Sequence, residues 1–255
     1  MQSVNKTFEV LEKIANYSNG ITLEQLGKEL PYPKPTLHRI CKCLNQNGYI
    51  SQRSSGLYQL TTKMISLGYN VIHNDALLMD ITPHMSDLAN RVGFTINLQR
   101  RDFDNVILLK KEESRASIFH TNAHTGLTSS LLNAACGKVI LANFSLQDKE
   151  KYWASHCQDL SKLQHFSDKT ISDKTTFFAA LDSIKERMFA LDGEGNESGI
   201  TCIGVPLEIN GIVSYAISVS GLTPEIKRYG QSKLIDELHQ FSAFVSSKLG
   251  QKVDK

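Results

Sequence analysis

Apolar positions in the first sixty residues recur every three or four places in three short blocks, then give way to alternation. Val4, Phe8, Leu11, Ile14 and Ala15 follow helical spacing, and Asn19-Gly20 supplies a stop. Thr22 is placed to cap a second helix, with Gln25 in capping-box position and Leu23, Leu26 and Leu30 as its apolar stripe. Pro31-Tyr32-Pro33 forces a turn. A third helix starts near Lys34-Pro35, where a proline costs little because an amide in a first helical turn has no partner to lose. Leu37, Ile40, Cys41 and Leu44 form its buried face, and Asn47-Gly48 ends it. Lys34, Thr36, His38, Arg39, Lys42 and Cys43 are left for the outer side. A hairpin follows, Tyr49–Gln52 and Tyr58–Leu60 around a Ser54-Ser55-Gly56 turn. Three helices and a hairpin at this spacing predict a winged helix-turn-helix over residues 1–60.

Thr61 to about Ile72 reads as a linker helix spanning residues 61–75. Met64, Ile65, Leu67, Val71 and Ile72 make it too apolar for a lone surface helix, so it is expected to hold a dimer together. Residues 76–255 form a second domain. Its expected elements are a helix over Ala76–Val92 and strands at Phe94–Arg100, Val106–Lys111 and Ser117–Thr121. Helices follow at Asn133–Asn143, Gln147–Ser155 and Thr175–Met188. Strands Thr201–Ile209 and Ile212–Ser220 flank Asn210-Gly211, the strongest short hairpin signal in the chain. Thr223-Pro224-Glu225 opens one final helix to about Leu249. This order of hairpins and helices predicts an α+β fold.

Charge changes the picture of the first domain. Acidic residues number 26 of 255, yet none falls between Leu30 and Asn74, where Lys34, Arg39, Lys42, Arg53 and Lys63 all lie. Residues 1–74 carry a net +4 and the remainder a net −2. Duplex DNA is a dense array of phosphates; a carboxylate on the docking face repels it, while each lysine or arginine releases a counterion. The third helix is therefore expected in the major groove and the wing along the backbone. Lys34, Pro35, Thr36, His38, Arg39 and Lys42 are the candidate contacts of the helix. Arg53, Ser54 and Ser55 are those of the wing, mostly to phosphate. Such sites are commonly two-fold, so a (pseudo)palindromic double-stranded operator and a homodimer or dimer of dimers are the expected partners.

Other chemistry is thin. No apolar run is long enough to span a bilayer, and five scattered cysteines give no disulfide framework, so a cytoplasmic location with reduced thiols is expected. Cys41 and Cys43 are too close to share a metal, and no nucleophile motif or glycine-rich phosphate loop is present. No cofactor, metal or catalytic residue is expected. An enzyme with a tethered helix-turn-helix and an architectural DNA binder are the alternative readings. Ser218 and Ser220, two apart on a strand, face one side together, and the small-residue helix start at Ala135-Cys136 offers unpaired N–H groups to an anion.

Several stretches resemble the IclR family of bacterial transcription regulators. In the first domain these are Ile21-Thr22-Leu23-Glu24-Gln25-Leu26, Pro33-Lys34-Pro35-Thr36-Leu37-His38-Arg39, Asn47-Gly48-Tyr49-Ile50, and Tyr58-Gln59-Leu60 followed by Leu67-Gly68. In the second they are Ala135-Cys136-Gly137-Lys138, the run Ser198 to Pro206, and Ser218-Val219-Ser220-Gly221. The resemblance implies a GAF-like second domain with a mixed sheet and flanking helices. It also implies a small organic-acid or sugar-acid effector, bound by the N–H groups of Ala135 and Cys136 with Asp192, Cys202, Ser218 and Ser220, and control of a catabolic operon, commonly by repression. Two departures stand out. Pro35 replaces a usual serine, and Gly126 to Leu132 lacks the arginine, proline and histidine common upstream of the small-residue helix.

Overall fold

The computed structural model describes residues 2–116, 120–164, 166–167, 170–193 and 198–249. The chain divides into two compact units, Met1–Asn74 and Asp75–Lys255.

The first unit holds helices α1 (Gln2–Ala15), α2 (Leu23–Glu29) and α3 (Lys34–Gln46), strands β1 (Ile50–Gln52) and β2 (Tyr58–Leu60), and helix α4 (Lys63–His73). Its core joins Val10 and Ile14 of α1 to Leu26, Leu37, Ile40, Cys41, Leu44, Ile50 and Tyr58. Of the helical stripe expected on α1, Ile14 reaches that core, whereas Val4 and Phe8 are more than half exposed. The Thr22 capping box forms as predicted, with Gln25 N–H donating to Thr22 Oγ1 at 3.2 Å. The helical part is tied to the wing by paired bonds between Ile21 and Tyr58, at 2.9 and 2.8 Å. Gly20 makes this close approach possible: its φ is +86°, and a Cβ there would stand 2.9 Å from the Tyr58 carbonyl oxygen. Helix α4 buries none of its residues within the unit, and Ile65 and Val71 are 71% and 68% exposed.

The second unit contains α5 (Ala76–Val92), β3 (Thr95–Asp102), β4 (Asn105–Glu112), β5 (Thr128–Ser130), α6 (Ala135–Ala142) and α7 (Leu146–His156). A short 3-10 turn (Leu160–Leu163) leads to α8 (Lys174–Arg187), β6 (Ala190–Gly193), β7 (Ile200–Ile209), β8 (Ile212–Leu222), α9 (Thr223–Tyr229) and α10 (Gln231–Leu249). The strands form one sheet in the order β5-β4-β3-β8-β7-β6. Helix α6 packs on β7 and β8 and against α8, while α10 packs on β7 and β8 and α5 on β3 and β4. Asn210 and Gly211 both take positive φ, the geometry a tight right-twisted hairpin requires.

The fold is α+β, and three readings of the sequence need correction. Where a mixed sheet was expected, every pairing among the described residues is antiparallel. The two edge strands, β5 and β6, were not expected; at three and four residues they are too short for an alternating pattern to register. The strand expected at Ser117–Thr121 falls largely outside the described residues, and His120 and Thr121 are irregular. The final helix is two helices, broken at Gly230, whose φ of +102° and ψ of +109° lie far from helical values.

Candidate functional site

Two surfaces collect the chemistry. On the first unit, Lys34, Pro35, His38, Arg39 and Lys42 are exposed along α3, Thr36 is half-buried, and Arg53, Ser54 and Ser55 are exposed at the wing turn. Among the described residues, Lys34, Arg39, Lys42 and Arg53 make no ion pair. The acids nearby are engaged elsewhere: Glu29 with Lys13 at 3.2 Å and Glu24 with Lys28 at 3.0 Å. Those lysines hold both carboxyls below their ordinary pKa, so they stay ionised but partly neutralised locally. Lys63 does not join the basic face. Its Nζ donates to the Asn47 carbonyl at 2.8 Å and lies over the Tyr49 ring, finishing the end of α3.

In the second unit the sheet register sets residues in rungs across four strands. Asp192 of β6 pairs with Cys202 of β7, Cys202 with Ser220 of β8, and Ser220 with Thr95 of β3. The next rung runs Ala190, Gly204, Ser218, Asn97. Alternation turns these side chains to the face that α6 covers, because Gly204 faces the start of that helix. A cavity of about 370 Å³ lies there, lined by Ala135, Cys136, Asp192, Cys202, Ser218 and Ser220, all six expected residues, together with Asn97, Gln99, Thr121 and others. Its size suits a small ligand.

Helix α6 starts with no side-chain cap on its amides. Those groups carry the positive end of the helix dipole into a site whose side chains are small. The helix is held in place from behind. Lys138, almost fully buried, donates from Nζ to the Leu191 carbonyl at 2.9 Å, joining α6 to the strand that carries Asp192. Gly137 presses on the backbone of Leu131, 2.6 Å from where its Cβ would be. Within the cavity, Asn97 Nδ2 donates to Ser220 Oγ at 3.0 Å, and Cys202 Sγ meets the same hydroxyl at 3.1 Å. Burial pushes the Cys136 thiol up to about 12, which contact with Ser218 only partly offsets, so this sulfur is a neutral wall atom and not a nucleophile.

Asn97, Gln99 and Thr121 lie outside the expected set. Thr95, Asn97 and Gln99 alternate with apolar Ile96 and Leu98 at the start of β3, which marks one polar face but does not say that it lines a cavity. Arrangement of the lining by hydrogen-bond donors and acceptors, with a thiol held neutral, is equipment for holding a polar ligand.

Residues 3–54 match the domain family described as the IclR helix-turn-helix domain, and residues 69–247 match the bacterial transcriptional regulator IclR C-terminal domain. The chain is 32% identical over 251 residues to the DNA-binding transcriptional repressor YiaJ of Escherichia coli strain K12, covering 98% of this chain and 88% of that protein. It is 25% identical over 252 residues to the HTH-type transcriptional regulator KdgR of the same strain, covering 98% and 93%. An IclR family transcriptional regulator from Brucella abortus has the same fold at a TM-score of 0.82 and 19% identity, covering 98% of this chain and 92% of that one. Two matched domains that together span most of the sequence, and a relative above 30% identity along its length, place this chain in the IclR family of transcription regulators, with a DNA-binding helix-turn-helix at its N-terminal end.

Proposed function

We propose that this protein is an effector-controlled repressor of a catabolic operon. In this reading residues 1–60 bind operator DNA, residues 61–75 link and dimerise two copies, and residues 76–255 bind a small carboxylate. The carrying observation is the cavity beneath the start of α6, where uncapped amides of Ala135 and Cys136 and the hydroxyls of Ser218 and Ser220 line one space. A carboxylate oxygen accepting from those groups would meet a helix N-terminus and two neutral donors, with Asp192 and Cys202 completing the wall.

The DNA-facing set is Lys34, Pro35, Thr36, His38, Arg39 and Lys42 on α3 with Arg53, Ser54 and Ser55 on the wing. The exposure of all of them but the half-buried Thr36, and the absence of ion pairs on the four cations among the described residues, support that assignment. The exposed apolar side chains Ile65, Leu67, Tyr69 and Val71 of α4 support a homodimer formed through that helix. Repression is taken as the sign because the relative YiaJ is named a repressor. Control requires that the acid bind the DNA-competent and incompetent arrangements unequally, since equal affinity shifts nothing.

The test is a gel-shift titration of the purified protein against the DNA upstream of its own gene, repeated with a panel of keto acids and sugar acids. The reading expects salt-sensitive binding that one or more acids weaken. Binding that neither salt nor any acid in the panel weakens, or no binding at all, would overturn it.

A further inference from the structure

We propose that the groove between α1 and α3 seats a backbone phosphate of the bound duplex, with the Lys6 ammonium as its counter-charge and the Ser3 hydroxyl as a second donor. The DNA footprint then extends from α3 onto the first helix, a placement that rests on the proposed DNA-binding reading of α3. Helix α1 packs against α3. Ser3, Lys6 and Thr7 line the α1 side of the groove, and Thr36, Arg39 and Cys43 line the α3 side. Residues three and four apart share a helix face, so Ser3, Lys6 and Thr7 form one short polar stripe. Thr36 and Cys43, seven apart, form the stripe opposite, and the exposed Arg39 borders it. Thr36 and Arg39 thus belong at once to the groove and to the proposed DNA-facing set.

Charge decides what such a groove admits. Lys6 and Arg39 line it and no carboxylate does; among the described residues neither cation makes an ion pair. Glu9, the acid one turn along α1, accepts instead from the Tyr32 hydroxyl. Lys6 Nζ stands 5.0 Å from the centre of the Tyr32 ring, two residues before α3 begins. That cation–π contact holds the ammonium beside the groove without neutralising it. Thr7 is no donor to a ligand, because its hydroxyl donates to the Ser3 carbonyl at 2.9 Å. Ser3 itself is exposed.

Position decides which anion. An α-helix with its side chains is about 10–12 Å across and the major groove of B-form DNA about 12 Å wide, so a reading helix fills that groove from wall to wall. The walls are phosphates. Whatever flanks the exposed side of α3 therefore meets backbone and not base edges, and α1 is the flank beside Thr36 and Arg39. Such a contact fixes register and carries no sequence information. A lysine suits it, being a compact charge on a flexible stem.

Fluorescence anisotropy on the full-length protein tests this with two labelled duplexes, the DNA upstream of its own gene and a scrambled duplex of equal length and composition. Each is titrated at several salt concentrations. One phosphate contact contributes about 0.9 to the slope of log affinity against log salt, which amounts to roughly eightfold in affinity at about 0.1 M salt. Lys6→Met keeps the side chain's length and removes its charge. It should lower the slope by about one and weaken both duplexes alike, by roughly eightfold at about 0.1 M. Lys6→Arg should restore slope and affinity. Ser3→Ala, at an exposed position, should cost about threefold on both duplexes with the slope unchanged, and serves if Lys6→Met does not fold. A wild-type slope in Lys6→Met, or wild-type affinity in Ser3→Ala should the first variant not fold, overturns the phosphate seat while leaving DNA binding by α3 in place. Loss confined to the upstream duplex also overturns it, since that marks a base contact. Wild-type protein that binds neither duplex at low salt overturns the seat and the DNA-binding reading of α3 together.

Discussion

Gly204 lies so close to Cys136 that a β-carbon on the glycine would sit 2.9 Å from the cysteine's backbone nitrogen, and 2.8 Å from the carbonyl carbon of Ala135. Both neighbours are backbone atoms and cannot rotate aside. The contact sets how far the start of α6 drops toward the sheet, and so how near its amides come to Ser218, the register partner of Gly204. Gly204→Ala should therefore lift the helix start and weaken effector binding at least tenfold, with DNA binding in the absence of effector retained. Calorimetry and gel shift on the same preparation decide it, and an alanine variant with native effector affinity would remove this glycine from the site.

In the proposed effector site the two serines supply the neutral donors. Ser218→Ala combined with Ser220→Ala should cost more than either change alone, because two hydroxyls are lost to the ligand instead of one; Ser220→Ala, alone or combined, also strands the buried Asn97 amide. The expected outcome is loss of the effector response in gel shifts with operator affinity unchanged. An intact response would show that the carboxylate binds elsewhere.

On α3, in the proposed DNA-facing set, Arg39 is exposed and makes no ion pair among the described residues, so removing it costs the fold little. Arg39→Ala should weaken operator binding by roughly 1–3 kcal/mol if it reads a base, and also lower the salt slope by about one if it contacts phosphate. Measuring affinity at several salt concentrations separates the two. Unchanged affinity at every concentration would take Arg39 out of the interface.

Helix α4 has no core of its own to lose. If the proposed dimer forms through this helix, Ile65→Asp with Val71→Asp should leave the melting temperature of the second unit in place but give a monomer in sedimentation where the wild type gives a dimer. It should also weaken operator binding, because half-sites are then engaged singly. A double variant that still sediments as wild type would place the assembly contact on another surface.

Alkaline stability follows from buried thiols. Burial raises Cys41 from 9.0 to about 11 in the first unit and Cys157 to about 11 in the second, with Cys136 raised to about 12. Above pH 9 the unfolded chain has released these protons and the folded chain still holds them, so folding stability is fully present below pH 9 and falls as pH rises toward 11–12. Thermal melts from pH 8 to 11 should show the decline, and Cys41→Val should flatten it for the first unit. A flat wild-type profile would contradict the burial of these groups.

Much of this was legible from residue order. The capping box at Thr22, the Pro33-Lys34-Pro35 helix start and the Asn210-Gly211 hairpin depend on neighbours within a few positions, and each forms where the pattern predicts. Val4 and Phe8 show the limit: helical spacing marks an apolar stripe but does not say whether the chain's own core or another surface covers it. The edge strands β5 and β6 and the break at Gly230 escaped for a related reason. Short edges borrow their hydrogen bonds from distant partners, and a glycine within an amphipathic run breaks it only where packing requires a new direction.

For function, the chain by itself determined the basic first domain with its acid-free stretch from residue 31 to 73 and the polar residues of the second domain, because charge and alternation are properties of order alone. Only the tertiary structure decided that Asp192, Cys202, Ser220 and Thr95 share one rung, and that the Asn97 amide reaches the Ser220 hydroxyl beside the space beneath α6. Strand register joins residues more than a hundred positions apart, and whether a buried atom finds a partner depends on every element packed around it.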